Sequence, residues 1–397
     1  MGFVDQKPEE RLIRRRKMEK IVIIGANDFQ NPLILKAKEM GFETHVFAWR
    51  DGAIGEKTAD YFYPISIVEK EKILEICQKI HPIAIVSIAS DLAAITVNFL
   101  SRNLHLPSNS ERNVLISTNK YEMRKAFQRA GVSTPQFLGA DNNSDMNEIV
   151  KMKLPVIVKP TDRSGSRGIT KLESWEGLRS AISEAVENSF EKKAIVEEYL
   201  KGDEYSCECV SFNGEHHFLA ITQKFTTGAP HFIETGHIEP SGLENEQIER
   251  VKKIVFAGLN ALEITNGASH SEVKIDAEGN VHIIEIGGRM GGDCIGSDLV
   301  PLSTGYDFLK MVIYCAIGKS PELKQSKDTS VAVIRFIFTE DDYKNFCEIK
   351  KNYPEKIYRA SDIKLEPEHK VIDSSSREGF YILKCDSREE AKRLAQL

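Results

Sequence analysis

The sequence predicts a parallel α/β domain followed by a longer α+β region, and three observations carry that prediction. Over residues 20 to about 110, apolar runs alternate with amphipathic helical segments, the pattern of βαβ units. Farther along, strands of period two follow one another through short polar turns, as antiparallel pairs do. Residues 282 to 293 then read HIIEIGGRMGGD, an apolar strand that brings one acid, Glu285, and one base, Arg289, among four glycines.

The elements follow in order. KIVIIGAND (20–28) is a buried strand ending in glycine, PLILKAKEMG an amphipathic helix closed by Gly41, and ETHVFAW the next strand. IVEKEKILEICQKIH reads as a helix, PIAIVSIASD as a strand and LAAITVNFLSRNL as a helix, so residues 19–115 form a parallel α/β domain. The first turn, GANDFQNP, has only Gly25 where dinucleotide binding needs G-x-G-x-x-G, which disfavours a nicotinamide-dependent oxidoreductase. Because α/β sheets bind ligands at strand carboxyl ends, Asn27, Gln30, Ser90 and Asp91 are expected to line a small-molecule cleft.

A second domain is expected over 116–320. It opens with the helix NKYEMRKAFQRAG (119–131), and STPQF starts a new extended segment. Strand PVIVKP, loop TDRSGSRG, strand ITKLES, helix WEGLRSAISEAVENSF and strand AIVEEYL make a small lid subdomain, about 135–203. EYSCECVSFN and EHHFLAITQKF join through NGE as a hairpin, in which Cys207 and Cys209 read as core residues. Helix EQIERVKKIVFAGLNAL precedes the strands ASHSEVKID and VHIIEIG, joined by AEGN. A charged α+β region, 321–397, ends in a strand and an amphipathic helix, GFYILKCDSREEAKRLAQL.

Composition narrows the function classes. A chain of 397 residues with formal charge −6 suits a globular protein acting on small molecules, not nucleic acid. Seven cysteines without C-x-x-C pairs suggest neither a disulfide framework nor a zinc ribbon. Residues 1–18, with Arg14, Arg15, Arg16 and Lys17, read as a solvated basic tail lacking a signal-peptide core. No run is long enough for a transmembrane helix, so the expected location is the cytoplasm, away from membranes.

Several residues fall where phosphate chemistry would want them. Lys159 ends an apolar strand and is followed by Ser164-Gly165-Ser166-Arg167-Gly168, a cation beside a loop rich in backbone donors. An exposed hairpin lysine would look the same. AIVEEYLKGDE sets Glu197 and Glu204 around Leu200 on a strand that could offer backbone groups to a base edge and carboxylates to ribose hydroxyls; it could equally be a half-exposed strand turning charges outward. Glu272 and Glu285 lie on consecutive strands across a short turn, so both carboxylates can face one point, as Mg2+ requires of hard oxygen ligands. Arg289 is placed to reach the same phosphates. The four glycines, Gly287, Gly288, Gly291 and Gly292, fit either a tight turn or room for a ligand.

In the order NKYEMRKAFQRAGVSTP, PVIVKPTDRSGSRGI, IVEEYLKGDEYS and SHSEVKID with HIIEIGGRMGGD, these segments resemble an ATP-grasp ligase over roughly residues 20 to 320. The resemblance implies the ATP-grasp fold, with a carboxylate–amine ligase activity that uses ATP and Mg2+, or Mn2+ as an alternative ion. It implies that Lys120 and Lys159 bind phosphates under a loop of Ser164, Gly165, Ser166 and Gly168, that Glu197, Leu200 and Glu204 hold adenine and ribose, and that Glu272 and Glu285 hold the metal, with Arg289 and Lys159 as catalytic cations. Gly287 stands where such ligases commonly have an asparagine metal ligand, which leaves the number of metal ions open. Through HFIETGHIEPSGL (231–243) and GGRMGGD the chain is most similar to L-amino-acid ligases that make dipeptides. That likeness implies small carboxylate and amine substrates near Glu234, His237, Arg289, Gly292 and Asp293, and a homodimer. An acid at Asp293 would favour an ammonium group, or would cap its own backbone. A nucleotide-binding regulatory protein without catalysis, and a ligase or carboxylase acting on purine-type substrates or bicarbonate, are the competing readings.

Overall fold

The computed structural model describes residues 18–229, 232–363, 365 and 371–397. The basic residues Arg14 to Lys17 lie outside them, as does residue 231, the first of the segment read as substrate-binding. No described helix is long and apolar enough to cross a membrane.

Strands β1 (Lys20–Ile24), β2 (Glu43–Ala48), β3 (Tyr61–Pro64) and β4 (Ala84–Val86) form a parallel sheet in the order β3-β2-β1-β4. Ile21 through Ile24 are all fully buried, because helices cover both faces and no alternation is needed. PIAIVSIASD yields only the three residues of β4; the chain then turns, and Ser90 caps the helix Asp91–Asn103 by accepting from Ala93 N at 3.2 Å.

The lid is a four-stranded antiparallel sheet, β5 (Phe137–Ala140), β6 (Val156–Pro160), β7 (Thr170–Leu172) and β8 (Ala194–Glu198), in the order β5-β8-β6-β7. Val156, Val158 and Val196 bury against Ile182 and Ala185 of the helix Leu178–Asn188. That helix starts later than its sequence pattern suggests. Gly177, at φ 80°, turns the chain in a left-handed conformation and leaves Trp175 outside.

The remaining strands make one eight-stranded sheet, β13-β12-β9-β10-β11-β14-β16-β15. They are β9 (Asp203–Phe212), β10 (Glu215–Thr226), β11 (Glu234–Glu239), β12 (Gly267–Ile275), β13 (Val281–Gly287), β14 (Val331–Phe336), β15 (Ile357–Ala360) and β16 (Phe380–Cys385). The C-terminal strands thus continue the central sheet: β14 pairs with β11, Gly236 opposite Arg335. Within the charged region 321–397, the expected closing strand and helix are β16 and Arg388–Ala395, while β14 and the helix Glu340–Asn352 are elements that the sequence pattern does not single out. On the opposite side, the helix Asn245–Ala261 packs closely on β13. A Cβ on Gly258 would stand 2.6 Å from Ile286 Cδ1 and 2.8 Å from Ile283 Cδ1, so a larger side chain there would push away the strand that bears Glu285.

Candidate active site

The cleft between the lid and the central sheet is organised by a register. On β12 and β13, Glu272 pairs directly with Glu285, so both side chains leave the same face at adjacent positions. Glu285 Oε1 accepts from Lys120 Nζ at 3.0 Å, and Glu272 Oε1 from Lys224 Nζ at 2.6 Å. Among the described residues no group of three or more His, Cys, Asp or Glu could enclose a metal ion. Two carboxylates at one point nevertheless suit Mg2+, which is commonly bound through one or two carboxylates with phosphates and water completing the octahedron. Gly287 adds no oxygen ligand.

The cations come from four elements. Asn119 caps the helix Lys120–Arg129, accepting from Glu122 N at 3.0 Å, which sets Lys120 at the helix start; its Nζ also donates to Arg163 O at 2.8 Å. Lys159, on β6, meets Glu197 Oε2 at 2.7 Å, and Arg124 Nε meets Glu197 Oε1 at 2.6 Å. Burial would raise the Glu197 carboxyl, but these two cations bring it down to about 2. Lys159 is lowered by its own burial, with Glu197 opposing and Arg124 and Lys120 adding to the effect. One carboxylate shared by two buried cations leaves a positive excess suited to polyphosphate.

Glu197 thereby changes role. Read from the sequence as an adenine or ribose contact, it has both oxygens engaged and is 4% exposed, so it braces Lys159 and Arg124. Arg124 also donates to Ile284 O at 2.6 Å, tying the lid to β13. Leu200 lines the same recess with Ile157, Ile169, Tyr199, Phe232 and Ile284, an apolar slot bounded by Glu198 and Glu204.

Lys224, on β10, was not picked out from the sequence. It is 8% exposed and faces three carboxylates, Glu272 at 2.6 Å, Glu204 at 3.1 Å and Glu234 at 3.8 Å. Burial opposes its charge, but the three acids raise it well above the ordinary lysine value. A signal was available, since Thr222 and Lys224 are polar residues on an alternating strand, but it could not say which face was inward.

The loop over this cleft uses left-handed backbone at Gly165 (φ 73°), Ser166 (φ 59°) and Gly168 (φ 64°). Ser164, Gly165 and Ser166 line the cleft, and Ser166 Oγ donates to Phe232 O at 3.2 Å.

None of the glycines in GGRMGGD takes positive φ; that conformation falls on Asp293 (φ 52°) and Cys294 (φ 59°). The glycines give room. A Cβ on Gly291 would lie 2.5 Å from Glu208 Oε1 and 2.7 Å from His270 Nδ1, and one on Gly287 would lie 3.3 Å from Asp91 Oδ1. Glu208 accepts from Gly291 N at 3.0 Å and contacts His270 Nδ1, while His270 Nε2 stands 3.5 Å from Glu272. Burial disfavours charge on His270, but Glu208 lifts it to about 9.

Arg289 lines the cleft with its Nε 2.8 Å from Asp91 Oδ1, so the guanidinium is aimed by the N-terminal domain. Of the four residues expected to border a cleft there, Asp91 alone makes this contact; Gln30 binds Ile88 O, Asn27 caps its own turn, and Ser90 caps a helix. Gly292, His237, Glu234 and Asp293 also line the cleft. Asp293 does not present a free acid to an ammonium. Arg377 Nη2 and Nη1 grip its two oxygens at 2.6 and 3.0 Å, and His237 Nε2 lies 3.4 Å away. Against the cost of burial, these partners hold the Asp293 carboxyl far below the usual range. It is also no simple backbone cap.

Comparison with known proteins fits this geometry. Residues 152–298 match the model of the ATP-grasp domain. D-alanine–D-alanine ligase B of Chromobacterium violaceum is 28% identical over 195 residues, 47% of this chain and 62% of that protein. The alanine–anticapsin ligase of Bacillus subtilis is 28% identical over 197 residues, 44% of this chain and 41% of that protein. The chain therefore spans less than two thirds of these curated relatives. Among solved structures, an L-amino acid ligase from Bacillus licheniformis superposes with a TM-score of 0.78 at 21% identity, over 95% of this chain and 96% of that one. Phosphoribosylglycinamide synthetase from Anaerococcus prevotii does so with a TM-score of 0.74 at 22% identity, again over 95% and 96%.

Proposed function

We propose that this chain, which has the ATP-grasp fold, is an ATP-dependent carboxylate–amine ligase that joins amino acids through an acyl phosphate. The observation that carries the reading is the cross-strand pair Glu272 and Glu285, set where the apolar slot beside Leu200 meets the polar cleft beneath Arg289.

In this reading the slot takes adenine, and Glu204 or Glu198 takes the ribose hydroxyls. Lys120, Lys159 and Lys224 hold the phosphates, and Glu272 and Glu285 hold Mg2+. The ion neutralises phosphate charge when bound. A substrate carboxylate oxygen attacks the γ-phosphorus, the bond to the β-phosphate oxygen breaks, and ADP leaves. A neutral amine then attacks the acyl carbon, the carbon–oxygen bond to phosphate breaks and the amine's surplus proton leaves with the phosphate, giving amide and inorganic phosphate. Arg289, fixed by Asp91, stands where it can stabilise the oxygens that gain charge, and no protein nucleophile is required.

Amino acids are preferred over purine-type acceptors for a local reason: Arg377, which the C-terminal region sets behind Asp293 at the cleft, is already neutralised by that acid and is poorly suited to hold a substrate phosphate. Phosphate release measured across all pairs of the common amino acids, with ATP and Mg2+, tests the proposal. Release without amide, or none with any pair, counts against it. A homodimer belongs to the same proposal, and light scattering tests it.

A further inference from the structure

The cleft has a third wall. Residues 373–377, in the connection between β15 and β16, reach it at three points. At one end Arg377 is anchored: its guanidinium grips Asp293 with two nitrogens, lies 3.6 Å over the Phe336 ring and is 6% exposed. At the other end Asp373 Oδ2 meets Arg167 Nε, in the glycine/serine loop, at 3.4 Å, with both side chains partly exposed. Between the ends, Ser374 Oγ donates to Glu234 Oε2 at 2.7 Å, and Ser374 lines the cleft.

The segment is internally stiff. Asp373 Oδ1 accepts from Ser375 N at 2.8 Å and Ser376 N at 3.1 Å, and Arg377 Nε donates to Ser374 O at 2.8 Å. A buried, bidentate, aromatic-backed arginine is a durable anchor, whereas a long, partly exposed contact between one nitrogen and one oxygen is easily broken.

We propose that residues 373–377 are a strap, fixed on Asp293 and releasable at Arg167, which holds the glycine/serine loop closed over the cleft and keeps water from the reacting groups. The idea rests on the ligase reading, in which water is the rival of the amine: its attack on an acyl phosphate returns the carboxylate and releases inorganic phosphate, wasting one ATP. Asp373 is thus a positioning residue. It touches no substrate and acts through Arg167.

Asp373→Asn keeps an oxygen for the turn and removes the charge that holds Arg167. In the full chain with ADP and Mg2+, trypsin cleavage after Arg163 and Arg167 should accelerate by about threefold or more, with the melting temperature unchanged. With substrates, the ratio of phosphate released to amide formed should rise by a similar factor. Arg167→Gln should raise that ratio in the same way. Wild-type cleavage in Asp373→Asn, or a wild-type ratio in both variants, overturns the strap and leaves the ligase reading standing. A wild-type protein inactive on every amino-acid pair overturns the ligase reading instead, and the cleavage rate then decides the strap alone.

Discussion

Glu272 and Glu285 occupy the same register on neighbouring strands, yet each is closed by a different lysine from a different element: Lys224 on β10 and Lys120 at a helix start. With Glu204 and Glu234 also facing Lys224 and His270 beside Glu272, the acids and cations here offset one another. The site can accept a metal and polyphosphate together, because each new charge replaces an existing partner.

That balance makes metal binding depend on nucleotide. With only two carboxylates at hand and no ligand from Gly287, Mg2+ alone should give little heat in a calorimetric titration, and the same titration with ADP should give clear binding. Glu285→Gln should lower ADP release during turnover by about a hundredfold or more, as loss of a directed electrostatic contact does. Strong binding of Mg2+ without nucleotide, or near-normal turnover in the variant, would refute the assignment.

Asp293 should behave as half of a buried ion pair. Asp293→Ala leaves Arg377 desolvated with no carboxylate, a change that costs about 3–5 kcal/mol in comparable pairs. Calorimetric melting should therefore show a large drop in Tm for Asp293→Ala. An unchanged Tm with an altered amino-acid profile would restore the view of Asp293 as a direct substrate contact.

The glycines of GGRMGGD should differ sharply in tolerance. Gly291→Ala would press a methyl group against Glu208 and His270, displacing the pair that backs Glu272, and should sharply reduce turnover. Gly288→Ala has its nearest neighbour, Ser117 Oγ, at 3.7 Å and should fold and turn over much as the parent does. Equal activity of the two variants would show that close packing at Gly291 is irrelevant.

Glu239 sets a pH dependence of stability. It is fully buried on β11, where burial pushes its carboxyl up to about 7 although Thr222 and Ser303 donate to it. The folded chain keeps a proton that the unfolded chain releases near pH 4.5, so this stabilisation is complete below that value and is lost as pH rises through 7. The loss is at most about 1.4 kcal/mol per pH unit across the window. Compared with the wild type, Glu239→Gln should flatten the fall of Tm between pH 5 and 7. Parallel Tm curves would exclude the effect.

Much of the fold could be read from the chain because its determinants are local. The βαβ alternation, the NGE and AEGN turns and the helix that starts at Lys120 depend on residues within a few positions of one another, and hydrophobic period and turn chemistry express them directly. Glu272 and Glu285 were legible for the same reason: one hairpin joins them. The closing strand Phe380–Cys385 and the helix after it were legible too, but β14 was not, because nothing in a charged stretch says that it will find β11.

By itself, then, the sequence determined the kinds of element, their order, and which acids, lysines and glycines could serve phosphate chemistry. Only the tertiary structure decided what each charged group faces. In Arg124 with Glu197, Lys224 with its three acids, Arg289 with Asp91 and Arg377 with Asp293, the partners come from different elements of the chain. The physical reason is that a buried charge is costly unless it is paired. Pairing depends on sheet register and domain packing, and a one-residue shift of register would turn the same side chain to the opposite face.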